Sequence, residues 1–145
     1  MELKRILLVE DNANDVELTL SALESINLAN AVDIVTDGAE ALDYLRYRGQ
    51  FADRPRCYPV VILLDLKLPK VNGLEVLKEI RGDVVLKQIP VVILTSSKEE
   101  KDLITGYELG VNAYVVKPVE YTAFIHAIKE LGSFWAIINE VSPKH

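Results

Sequence analysis

The sequence is poor in cysteine, with Cys57 alone among 145 residues. That excludes an internal disulfide and fits a reducing compartment. Basic residues are in deficit: 16 Lys and Arg stand against 22 Asp and Glu, giving a formal net charge of -6 and a pI near 4.9. The balance disfavours nucleic acid as a partner and favours solubility and cation binding. Glycosylation sequons, internal repeats and low-complexity segments are all missing. The first apolar run, Ile6-Leu7-Leu8-Val9, is far too short for a signal peptide or a membrane span. The expectation is a cytoplasmic protein with no membrane partner. What remains is apolar content: 50% hydrophobic against 26% charged residues, a globular composition long enough for one domain with a real core.

One stretch organises the rest. Val60-Val61-Ile62-Leu63-Leu64 runs without a break into Asp65. A continuous apolar run of this kind is a strand buried on both faces, as in parallel sheets. Leu66-Lys67-Leu68-Pro69 and Asn72-Gly73 then take the chain out of the sheet. Ligands of open α/β sheets bind beyond the carboxyl ends of the strands, so Asp65 stands where a functional acid belongs. An Asp that merely caps a loop is the plain alternative.

The other segments repeat the design. Ile6–Val9 is a first strand ending in Glu10-Asp11, two carboxylates that repel unless a cation or proton relieves them. Asn14-x-x-Glu17 resembles a capping box and opens a helix to about Ile26, with Val16, Leu20, Leu23 and Ile26 inward. Val32–Val35 is a second strand. Asp37-x-x-Glu40 caps a helix carrying Ala41, Leu42 and Leu45. Gly49 to Tyr58 is irregular, and with Arg46, Arg48, Arg54 and Arg56 it is either a docking patch for an acidic partner or a solvated loop. Gly73 to Arg81 is a third helix with Leu74, Leu77 and Ile80 inward. Pro90 to Thr95 is a fourth strand. Ser97-x-x-Glu100 caps a fourth helix that ends at Leu109-Gly110, where glycine suits a left-handed turn. Ala113 to Pro118 is a fifth strand containing Lys117, and a last helix starts near Tyr121.

Five alternations of strand and helix predict an α/β fold: a doubly wound, five-stranded parallel sheet of flavodoxin-like order 2-1-3-4-5, with helices on both faces. In that order Glu10, Asp11 and Asp65 converge, and Thr95 and Lys117 reach the same rim. Hard oxygen ligands at this density suit Mg²⁺. An Asp carboxylate is a nucleophile toward phosphorus, and a lysine and a hydroxyl can contact the transferring oxygens.

The set Glu10-Asp11, Asp65-Leu-Lys-Leu-Pro-Lys-Val-Asn-Gly, Thr95-Ser-Ser and Lys117-Pro resembles the receiver domain of two-component response regulators. The resemblance covers nearly the whole chain, 1–145, and implies a single receiver domain with no output domain. It implies that Asp65 accepts a phosphoryl group from a sensor histidine kinase. It implies Mg²⁺ held by Asp11, Asp65 and the Lys67 carbonyl, with Glu10 assisting through water. It further implies that Thr95 and Lys117 grip the phosphoryl group and that Tyr114 changes rotamer with Thr95 as the switch. Lys117-Pro118 is expected to be cis, as in the family. Such a chain is a phosphoacceptor, not an enzyme beyond its own phosphorylation and dephosphorylation. The long Gly49–Pro59 loop and the short tail are similar to stand-alone regulators of bacterial phytochrome-type kinases.

Other readings fit less well. A haloacid dehalogenase-type phosphatase would want an acid two positions after Asp65, where Lys67 stands. A flavodoxin-like cofactor binder would not place Glu10-Asp11 against a phosphate. A degenerate receiver would not keep every site residue. In the last helix, Phe124, Ile128, Leu131, Trp135 and Ile138 form a stripe for the sheet. Tyr121, Ile125, Phe134, Ile137 and Val141 fall off it, which predicts a homodimer or target surface formed with the fourth helix and fifth strand. Alternatively the chain after Gly132 bends back and buries Phe134 and Ile137.

Overall fold

The computed structural model describes residues 5–25, 31–95, 109–111, 113–117 and 119–130. Five strands, β1 (Ile6–Val9), β2 (Val32–Val35), β3 (Val61–Asp65), β4 (Val91–Thr95) and β5 (Ala113–Val116), form one parallel sheet. Their order is β2-β1-β3-β4-β5, as the sequence pattern predicts. The described helices are α1 (Ala13–Glu24), α2 (Gly38–Leu45), α3 (Gly73–Arg81) and α4 (Tyr121–Glu130).

The strands are apolar at every position of β1 because helices cover both faces. Ile6, Leu8, Val61, Leu63, Val92, Leu94, Ala113 and Val115 point to one side, where α1 supplies Ala22 and Leu23 and α4 supplies Phe124 and Ala127. Leu7, Val9, Ile62, Leu64, Val91 and Ile93 point to the other, against Ala41, Tyr44 and Leu45 of α2 and Val76, Leu77 and Ile80 of α3. Each large side chain buried this way contributes about 1.5–3 kcal/mol. Two opposed cores hold the sheet between them and fix the strand ends that carry the site.

The register aligns that edge. Val9 lies beside Val35 and Leu64, Asp65 beside Leu94, and Thr95 beside Val116. The residues that follow these positions therefore emerge together.

Three local expectations are corrected. The N-cap of α1 is Asn12, not Asn14: the Asn12 side chain accepts from the Asp15 N–H at 3.0 Å. Glu10 is the cause, because its Oε2 accepts the Asn12 N–H at 3.2 Å and starts the helix two residues sooner. The inward face of α1 is accordingly Thr19, Ala22 and Leu23, with Val16 and Leu20 only half-buried. In α3, Val76 takes the buried place expected of Leu74, which is half-buried.

Asp37 does cap α2, its side chain accepting from the Glu40 N–H at 2.7 Å. Gly110 has φ 79, the left-handed turn predicted for it. Ile26, the helix predicted from Ser97, the Lys117-Pro118 bond, the Ile128 side chain and the stripe residues Leu131, Phe134, Trp135, Ile137, Ile138 and Val141 lie outside the described residues.

Candidate functional site

Glu10 follows β1 directly, and its backbone N–H donates to the Val35 carbonyl at 3.0 Å. Its side chain is fully buried. Asp65 ends β3 and is 5% exposed, while Asp11 is exposed. Each of the three offers a carboxylate oxygen, and these atoms lie within 4.8 Å of one another.

The chain after Asp65 is shaped to present it. The Lys67 N–H donates to Asp65 Oδ1 at 3.1 Å, and the Gly73 N–H to the Leu66 carbonyl at 2.9 Å. That second bond draws the start of α3 onto the loop. A Cβ at Gly73 would sit 2.2 Å from the Asp65 carbonyl oxygen and 2.5 Å from Leu66 Cα, so only glycine permits the approach. Asn72 caps α3, accepting the Glu75 N–H at 3.0 Å.

Lys117 follows β5, with its N–H on the Thr95 carbonyl at 2.8 Å. Its ammonium reaches Glu10 Oε1 at 2.6 Å, Asp15 Oδ2 at 3.1 Å and Asp65 Oδ2 at 3.1 Å, and the side chain is 9% exposed. Both Asp65 oxygens are therefore held by a donor. Burial pushes the Glu10 carboxyl up to about 7, against the opposing pull of Lys117 and with the Asp65 charge adding to the rise. Burial by itself would lower Lys117, but its close contacts with the carboxylates, the short Glu10 pair foremost, raise it above the ordinary lysine range. Glu10 Oε1 has the ion pair yet no hydrogen bond of good angle.

An acidic triad with one poorly satisfied buried oxygen is a donor set for a hard divalent cation. Glu10, Asp11 and Asp65 fit that group. Thr95, 1% exposed, stands at the end of β4 beside Val116. Tyr114 lies in β5 beside Ile93, half-buried against the α2–α3 side of the sheet. All the sequence-predicted site residues thus fall along β1, β3, β4 and β5 and the turns that follow them.

Asp15 is the site residue that the sequence reading passed over. It stands in the first turn of α1, three residues after the Asn12 cap, where nothing in the sequence singles it out.

Three of the arginines in and before the long loop, Arg46, Arg54 and Arg56, are engaged within the chain. Arg54 lies over the Tyr44 ring at 3.8 Å and the Tyr47 ring at 4.2 Å. It also donates to the Tyr44 carbonyl at 2.8 Å and the Cys57 carbonyl at 2.9 Å. Arg56 covers Tyr47 at 4.1 Å, and Arg46 pairs with Glu79 at 2.8 Å. Here the loop also borders a cavity of about 490 Å³, walled by Asp33, Ile34, Tyr44 and Phe51.

The family model described as the response regulator receiver domain matches residues 6–129. Response regulator Rcp1 of Synechocystis sp. is 42% identical over 132 residues, 91% of this chain and 88% of its own length. Its Mn²⁺-bound form aligns with a TM-score of 0.74 at 41% identity, over 91% of this chain and 94% of that one. The bacteriophytochrome response regulator RtBRR is 61% identical with a TM-score of 0.87, over 98% of this chain and 86% of that one. The phosphorylated cyanobacterial phytochrome response regulator RcpA is 42% identical with a TM-score of 0.76, over 93% and 95%.

Proposed function

The chain belongs to the response regulator receiver family, and on that premise we propose that Asp65 is its phosphoacceptor, with Mg²⁺ as cofactor. The observation that carries the reading is the grip on Asp65. Its two oxygens are bonded at 3.1 Å to the Lys67 N–H and the Lys117 ammonium, beside an acidic cluster that fits a divalent cation.

The donor is a phosphohistidine on a sensor kinase, of the phytochrome type in view of the relatives named for phytochromes. An Asp65 oxygen attacks phosphorus, the bond from phosphorus to the imidazole nitrogen breaks, and its electron pair stays on that nitrogen. The product is an aspartyl phosphate and a free histidine. Lys117 moves with the charge, from the Asp65 carboxylate to the oxygens of the phosphoryl group. Thr95 offers a second contact from the end of β4. Asp11, Asp65 and the Lys67 carbonyl would hold the cation, with Glu10 assisting through water. When bound, the cation supplies charge neutralisation at the oxygens of the transferring group.

Output is a population shift, with Thr95 drawn toward the phosphoryl group and Tyr114 turning inward. The receiver domain exposes that change to a partner. The face around β5 and α4, where Tyr121 is 45% exposed, suits a homodimer, which sedimentation at micromolar concentration with and without a phosphoryl mimic would separate from a monomer.

Acetyl phosphate with Mg²⁺ tests the reading. One phosphoryl group should add by mass, EDTA should prevent it, and Asp65→Asn should abolish it. Equal labelling of Asp65→Asn would overturn the assignment.

A further inference from the structure

We infer that Asp15 is a positioning residue for this phosphotransfer, acting through Lys117; the inference rests on Asp65 being the acceptor. The Lys117 ammonium has three N–H donors and faces three carboxylates, Glu10, Asp15 and Asp65. Two of these, Glu10 and Asp65, also belong to the acidic cluster. A divalent cation there competes with the ammonium for their charge. Asp15 is outside the cluster and keeps its full charge for Lys117.

Its backbone is fixed from both sides. The Asp15 N–H donates to the Asn12 side chain at 3.0 Å, and its carbonyl accepts from the buried Thr19 hydroxyl at 2.8 Å. The carboxylate is 28% exposed, at the mouth of the site, while Lys117 is 9% exposed. An exposed ion pair contributes little, but this one has a mostly buried cation and a good hydrogen bond, so solvent screens it less. The bond also joins the first turn of α1 to the end of β5 across 102 positions of sequence. Asp15 thereby keeps the ammonium beside Asp65 when the cation is bound, ready to receive phosphoryl oxygens.

The test combines Asp15→Asn, Asp15→Glu and Lys117→Ala in the full chain. With saturating Mg²⁺, Asp15→Asn should slow phosphorylation by acetyl phosphate about tenfold, the effect of one lost charge-assisted hydrogen bond. Neither half-saturating acetyl phosphate nor half-saturating Mg²⁺ should rise. Asp15→Glu should restore most of the rate. In a Lys117→Ala background, Asp15→Asn should add nothing, because both changes remove one interaction. The Lys117 ammonium signal in NMR, with Mg²⁺ present, should persist in the wild type and broaden in Asp15→Asn. An unchanged rate in Asp15→Asn, the same slowing without Lys117, or a loss confined to Mg²⁺ affinity would each overturn the role. A wild-type chain that takes no phosphoryl group would instead defeat the reading of Asp65, and the ammonium signal would then mark the Asp15 contact as structural only.

Discussion

After β1 and β5 and at the end of β3, one ammonium faces three carboxylates; beside β2, two guanidinium groups lie on tyrosine rings. Both regions bring charge close to the sheet. In the first the charges are out of balance, and a buried oxygen of Glu10 lacks a well-angled hydrogen bond. In the second, Arg54 is held by two ring faces and by backbone carbonyls, although its Nη2 has no hydrogen bond, and among the described residues no carboxylate cluster surrounds it. An unbalanced cluster attracts a ligand. A guanidinium spread over ring faces and carbonyls holds a loop in place. The difference separates a functional site from a structural staple, although arginine density alone suggests the opposite.

The largest contrast should come from Lys117→Ala. Phosphotransfer should fall by about 10²-fold or more, as for removal of one preorganised charge-stabilising donor. Mg²⁺ should bind tighter, because the ammonium no longer competes for Glu10 and Asp65. Weaker Mg²⁺ binding by calorimetry would show that Lys117 supports the cation site and would break the contrast.

Arg54→Ala should do the reverse. Loss of two ring contacts and of bonds to part-buried carbonyls should cost about 2–3 kcal/mol of stability in urea unfolding. The phosphorylation rate should stay within about twofold of wild type, since the staple does not touch the rim. A rate loss matching that of Lys117→Ala would mean that the two regions are coupled.

A smaller effect follows from Glu10. Its carboxyl rises from 4.5 unfolded to about 7 folded. The folded chain then holds a proton that the unfolded chain releases between these values. Cation-free stability should fall as pH rises through that window and level off above it. Mg²⁺ requires the carboxylate, so its affinity should rise with pH up to about 7, by at most about tenfold per unit for one proton. Affinity independent of pH from 5.5 to 8 would remove Glu10 as a participant.

The strand-end residues were legible because each closes a run of buried apolar residues and parallel register aligns the ends. Sheet order followed from alternation together with right-handed crossovers and the shortest doubly wound connections, and with it the convergence of Glu10, Asp11 and Asp65. Asp15 was not read because it sits on a helix, where one acid among Asn14, Glu17 and their neighbours has nothing to set it apart. The Asn12 cap was missed because two asparagines offer the same spacing and the side chain of Glu10 chooses between them. The arginine staple obeys no period, and the pairing of Arg54 with Tyr44 depends on loop geometry that composition does not encode.

The central claim is that Asp65 carries the phosphoryl group. Borohydride reduces an aspartyl phosphate to homoserine, which peptide mapping then places in the sequence. After treatment with acetyl phosphate and Mg²⁺, homoserine should appear at position 65 alone, and not when EDTA is added. Homoserine at position 11, or at no aspartate while the protein still gains a phosphoryl group, would contradict the account.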